Sequence, residues 1–92
     1  MKKALLFLAL ILYVNVVSAQ KVFKGKVTDA QNQALNGVSV IEKGTNNGVF
    51  TDNDGNFTIS YKDENSIIAF SFVGLTGQEV TVGKQTEVNI ML

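Results

Sequence analysis

The sequence predicts an all-β fold: one small antiparallel sandwich of seven strands, carried behind a cleavable leader. Three observations lead there. Short runs rich in Val, Ile, Phe and Thr recur from Gln20 onward, separated by Gly, Asn and Asp. No apolar period of 3.6 residues persists anywhere in that stretch, so no helix is expected. The first residues stand apart from the rest, and a chain of 92 residues leaves room for one domain besides them.

The leader is expected to span residues 1–19. Lys2 and Lys3 form a positive start, and Ala4 to Val17 is apolar except for Tyr13 and Asn15. Val17-Ser18-Ala19 then places small or β-branched residues where a signal peptidase reads, so cleavage is expected before Gln20. An apolar run of 14 residues is short of the roughly 20 that a membrane span requires. Gln20 offers no thiol for lipid attachment, so the mature domain, residues 20–92, is expected to be released. With the leader gone, six lysines face eight acids, a net charge of −2. The chain has no Arg, and a nucleic-acid partner is not expected without clustered basic residues to displace counterions. Of the remaining 73 residues, 27 are hydrophobic, enough for one thin core. A domain this small buries only about 60% of its unfolded surface. There is no cysteine, so no disulfide supports that core.

The first expected strand is Lys21–Thr28, with Phe23, Gly25 and Val27 on one face and Lys24 and Lys26 on the other. Asp29 to Gln33 is a polar turn. Val38–Lys43 follows, Val38 and Val40 alternating with Ser39 and Ile41. Gly44 to Gly48 breaks that strand, Val49–Thr51 is short, and Asp52 to Asn56 turns the chain. Phe57–Tyr61 alternates most cleanly, with Phe57, Ile59 and Tyr61 together on one face. After the charged turn Lys62 to Asn65, Ser66–Val73 is almost continuously apolar, with Ile68, Phe70 and Phe72 on one face, and is expected to be the most buried strand. Gly74 to Gln78 turns again. Glu79–Val82 and Glu87–Leu92 complete the seven, the last with Val88, Ile90 and Leu92 on one side. Regular spacing of short strands between turn signals points to two packed sheets.

Reactive chemistry is hard to assemble from these residues. Without His or Cys there is no imidazole to activate a serine and no thiolate nucleophile, and zinc and copper lose their usual ligands. No catalytic, cofactor-binding or metal residue is assigned, and the chain is not expected to be an enzyme. Asp52-Asn53-Asp54-Gly55 is the best calcium candidate, yet an EF-hand loop would need Asp where Phe50 stands and an acid where Tyr61 stands. A tight Asp-Gly hairpin explains the segment better. Asp52 and Asp54 as a glycosidase pair would need to flank a cleft with one raised pKa. Gly77 to Lys84 has the wrong spacing for a phosphate loop, has Gln85 in place of Ser or Thr, and reads as a hairpin turn. Asn56-Phe57-Thr58 matches the glycosylation triplet but abuts an expected strand.

Several of these segments resemble a known family. Phe23-Lys24-Gly25-Lys26-Val27-Thr28-Asp29, Ala34-Leu35-Asn36-Gly37-Val38-Ser39-Val40 and Lys43-Gly44-Thr45 resemble the carboxypeptidase-regulatory-like domain. So do Gly48 to Phe57 and Phe70-Ser71-Phe72-Val73-Gly74, in the same order. A leader directly before this domain resembles the start of SusC/RagA-type TonB-linked outer-membrane transporters of Bacteroidetes. The likeness covers essentially residues 21–92. Ala34, Asn36 and Leu75 depart from the family's usual Pro, Pro and Tyr, and each fits a turn or strand end. The resemblance implies a transthyretin-like (prealbumin-like) seven-stranded sandwich without a peptidase site. It also implies a periplasmic, outer-membrane setting, with the transporter's plug and barrel, TonB or a SusD-like lipoprotein as partners and contact with the membrane only through the parent protein. The transporter's TonB box, plug and barrel are not within these 92 residues, which leaves two expectations open. The chain is the amino-terminal domain of a transporter, or a free-standing exported module that binds protein or carbohydrate through loops carrying Asn46, Asn47, Asn53 and Asn56.

Overall fold

The computed structural model describes residues 21–92; the expected leader lies outside the described residues. Seven strands form: β1 (Val22–Thr28), β2 (Ser39–Glu42), β3 (Gly48–Phe50), β4 (Asn56–Ser60), β5 (Ile67–Ser71), β6 (Gln78–Thr81) and β7 (Glu87–Met91). They make a three-stranded sheet ordered β4-β1-β7 and a four-stranded sheet ordered β3-β2-β5-β6. All seven expected strands are present, each within two residues of its expected ends.

Four of the five pairings are antiparallel, but β1 and β7 run parallel, with Gly25 opposite Val88 and Val27 opposite Ile90. The reason is parity. Every connection reverses the chain, so odd-numbered strands all point one way, and β1 and β7 are odd-numbered neighbours. The alternation in the sequence sets faces but says nothing of neighbours, and this pair escaped it. Two expected hairpins are also corrected. The Asp52–Asn56 turn joins β3 to β4, and the Gly83-Lys84 turn joins β6 to β7; both carry the chain from one sheet to the other.

The core lies where the alternation places it. Phe23, Val27, Val38, Val40, Phe57, Ile59, Ile68, Phe70, Val82 and Ile90 are all buried. Phe57 and Phe70 meet edge to face across the two sheets, ring centres 5.2 Å apart, and Phe23 lies 6.1 Å from Phe57. Such geometry matches the aromatic quadrupoles and adds to the burial of their large apolar area. β5 is less buried than its apolar run suggests. Only Ile68 and Phe70 face inward; Ile67 and Ala69 are half-buried, the strand stops at Ser71, and Val73 is 95% exposed.

Gly25 sits at the tightest point. A Cβ there would lie 1.8 Å from the Val88 carbonyl oxygen and 3.1 Å from the Phe57 ring. Its absence lets β7 pair with β1 while Phe57 packs beneath. Gly55, at φ 77°, does similar work at a turn, where a Cβ would stand 2.6 Å from the Val27 carbonyl.

Two buried polar residues hold opposite ends of β2. At its start, the Thr51 hydroxyl donates to the Leu35 carbonyl (2.6 Å) and accepts from the Val38 N–H (2.9 Å). At its end, Glu42 points inward in phase with Val38 and Val40. Its carboxylate accepts from the Lys62 N–H (2.8 Å), the Ser66 hydroxyl (2.8 Å) and the Asn47 amide (3.3 Å). The Asn47 amide also donates to the Ser60 carbonyl at 2.6 Å, so this network ties β2 to the opposite sheet. The Lys62 N–H, then the Ser66 hydroxyl, hold the Glu42 carboxyl below its ordinary range; burial opposes them, and Asn47 and the Lys62 charge assist.

Two predictions follow from these contacts. Gly25→Ala must push β7 off β1 or displace Phe57, at a cost of about 2–3 kcal/mol. In a domain of this size that lowers Tm by roughly 10–20 °C in a thermal melt. Glu42 binds its proton less readily folded than unfolded. Its contribution to stability is therefore complete above the unfolded value of about 4.3 and is lost as pH falls through the lower folded value. Glu42→Gln should lower Tm at pH 7, and the gap to the unaltered chain should narrow on acidification to pH 3, read by melts across that range.

Candidate functional site

The loops singled out in the sequence gather at two opposite ends of the sandwich. At the β3–β4 corner, Asp52 closes its own loop. Its Oδ1 accepts from the Asp54 and Asn56 N–H groups at 2.9 Å each, its carbonyl accepts from the Gly55 N–H, and its N–H donates to the Asn56 carbonyl. Asp29 repeats this geometry in the β1–β2 connection, with Oδ1 accepting from the Gln31 and Gln33 N–H groups at 2.9 Å. There Asn32, at φ 62°, takes the place that Gly55 holds in the other loop. The two loops lie side by side, joined by the Asn36 amide donating to Asn53 Oδ1 at 2.7 Å.

This arrangement builds turns. Asp52 and Asp54 are both exposed in one solvated loop, which is poor geometry for an acid–base pair. Among the described residues, no three or more His, Cys, Asp or Glu side chains stand close enough to share a metal ion. The Gly77–Lys84 segment forms strand β6, and the Val82 and Gly83 N–H groups donate to the Ser66 and Glu64 carbonyls. They are not free to cradle a phosphate. Asn46 and Asn47 lie at one end of β3 and Asn53 and Asn56 at the other, so these four do not form one binding loop cluster. Asn47 is spent on Glu42 and Ser60, and Glu42, the buried carboxylate, is engaged with its own three donors.

What remains are the outer faces of the sheets, and they differ in character. The three-stranded sheet presents Lys24, Lys26, Asn56, Thr58, Glu87 and Asn89 around a shallow hollow of about 310 Å³. Cations, an anion and amides share it, the ordinary make-up of a solvated face. The four-stranded sheet presents a second hollow of about 450 Å³, walled by Phe50 on one side and by Phe72 and Val73 on the other. Gly37, Ser39 and Ser71 form its floor. Phe50 is 72% exposed and Ile41, one row away, 40% exposed. On this face the charges are at the far end, where Lys43 and Glu79 pair at 3.1 Å.

Residue type alone does not disclose this apolar surface, because Phe and Val are ordinarily core residues. Phase would have found it. Thr51 faces inward with Val49, so Phe50 must face out, and Val73 lies beyond the last residue of β5. The apolar side chains around this hollow offer contact area and supply no reactive group.

Comparison with known proteins agrees with the architecture. A solved chain of the type II cohesin–X–dockerin complex from Acetivibrio cellulolyticus, a C-terminal interface mutant, superposes with a TM-score of 0.59. It is 15% identical, over 77% of this chain and 51% of that one, and the likeness is one of fold alone. TonB-dependent receptor P3 of Formosa agariphila is 40% identical over 98% of this chain, and TonB-dependent receptor SusC of Bacteroides thetaiotaomicron is 39% identical over 96% of it. The chain spans about 9% of the length of each of these two relatives. The model of the CarboxypepD_reg-like domain matches residues 23–92, every strand but the first residue of β1, and the chain belongs to that family.

Proposed function

We propose that the chain is the non-catalytic, periplasmic amino-terminal domain of a TonB-dependent outer-membrane transporter of the SusC type. The observation that carries this reading is the 40% identity to a TonB-dependent receptor over 98% of the chain. The residues support a contact role. Turn-forming Asp29 and Asp52 have their Oδ1 atoms engaged, the buried carboxylate of Glu42 is held by three donors, and the distinctive surface is apolar. In this reading residues 1–19 direct export and are removed before Gln20. The sandwich then contributes contacts or positioning within the parent transporter, whose plug and barrel carry out transport. TonB and a SusD-like lipoprotein are the further partners it would meet, and it reaches the membrane through the parent protein.

A second reading is favoured by the hollow beside Phe50 and Val73, which a self-sufficient binding module would also present. In that case the sandwich is exported free-standing and meets a protein or carbohydrate directly.

Sequencing the locus beyond codon 92 separates the two. A transporter domain requires an open frame that runs on into a TonB box, a plug and many strands of about ten residues with alternating apolar positions. A stop codon immediately after Leu92 in the intact genome contradicts the transporter reading and leaves the free-standing module.

A further inference from the structure

The four sheet edges are not alike. Along β4, the outward N–H and C=O of Asn56 are taken by Asp52, and the Ser60 carbonyl by Asn47. On β7 the Met91 carbonyl accepts from the Gln78 amide, and Glu87 adds a charge. On β6 the Thr81 carbonyl accepts from the Gln85 amide, and Glu79 is charged. Side-chain caps and charges of this kind stop an edge from recruiting another strand. β3 has neither. Its Val49 pairs inward with Val40, flanked by the Thr51-to-Val38 and Glu42-to-Asn47 bonds. The backbone groups of Gly48 and Phe50 therefore point out of the sheet, with no partner among the described residues.

We propose that β3 is a self-association edge, pairing antiparallel with β3 of a second copy about a two-fold axis through Val49. In that register Gly48 of each copy faces Phe50 of the other, and each pair exchanges two backbone hydrogen bonds. The side chains fit the same register. Each Phe50 ring lies across the other copy's Gly48, where there is no side chain and the neighbouring surface is Ile41, whose Cγ1 is 3.0 Å from the place a Cβ would take. Both Phe50 and Ile41 are exposed in the single chain and become covered. An aromatic ring over a cross-strand glycine is a favourable pair that shields bare backbone. The flanks agree as well. Asp52 of one copy comes opposite Asn46 of the other, and no like charges meet along the edge. The symmetry is the closed two-fold kind, in which one patch serves both partners.

The test combines sedimentation equilibrium with a cysteine reporter, made clean by the absence of any native cysteine. The purified chain should move from one-chain to two-chain mass between micromolar and millimolar concentration. Phe50→Lys, at an exposed position, should keep its Tm and remain at one-chain mass. Val49→Cys should cross-link two copies on mild oxidation, because opposed residues of a non-hydrogen-bonded pair bring their Cα atoms to about 4.5 Å, within disulfide reach. Phe50→Cys, two residues out of register with its own copy, should cross-link far more slowly. A chain that stays single up to millimolar concentration overturns the proposal. So does a dimer that survives Phe50→Lys, or cross-linking that favours position 50 over position 49.

Discussion

Two thin sheets with no disulfide between them stay together chiefly by what they bury, and the aromatic contact that spans the gap is Phe57 of one sheet against Phe70 of the other. Much else in the molecule serves that contact. Phe23 and Tyr61 continue the aromatic row on the three-stranded side, and Val38, Val40 and Ile68 face it from the four-stranded side. Gly25 leaves room for Phe57 while β7 pairs with β1. A small domain has little apolar area to spare, so each inward position is held either by a close-packed apolar side chain or by a polar one whose partners are complete. Thr51 and Glu42 are of the second kind. Their hydrogen bonds close the two ends of β2, where the connecting segments enter and leave the core.

The fold was legible because period-2 alternation survives in nearly every strand. Phe23 with Val27, Phe57 with Ile59, and Ile68 with Phe70 were each placed on the inward face by phase alone, and all are buried. What phase cannot carry is adjacency. The parallel β1–β7 pair and the two sheet-crossing turns depend on which strands meet, which no local pattern encodes. Two errors had a different source. Ser66–Val73 reads as buried to its end because its apolar run continues past the last residue of the strand, and Val73, beyond that end, is almost fully exposed. Glu42 drew no attention because a charged residue is expected on the outside, although its position two residues after Val40 put it in the inward phase.

The same contrast separates the candidate functional features. Asp52, Asp54 and the glycine-bearing segment near Lys84 stood out by residue type, and the structure uses Asp52 and that segment for turns and sheet pairing. The surface that stands out in three dimensions, Phe50 with Phe72 and Val73 over a floor of Gly37, Ser39 and Ser71, is assembled from three separate segments of the chain. Membership in the CarboxypepD_reg-like family, with relatives named as TonB-dependent receptors, agrees with this sandwich architecture. In such a module the core fixes the spacing of the sheets, and the spacing fixes which edges are left open.

Amide hydrogen exchange on the native chain tests most directly whether one shared core governs the whole sandwich. The account expects the slowest amides of β1 and β5, which belong to different sheets, to exchange with the same free energy of opening and to shift together with denaturant. Different opening energies for the two strands, with one sheet remaining protected after the other has opened, would contradict it.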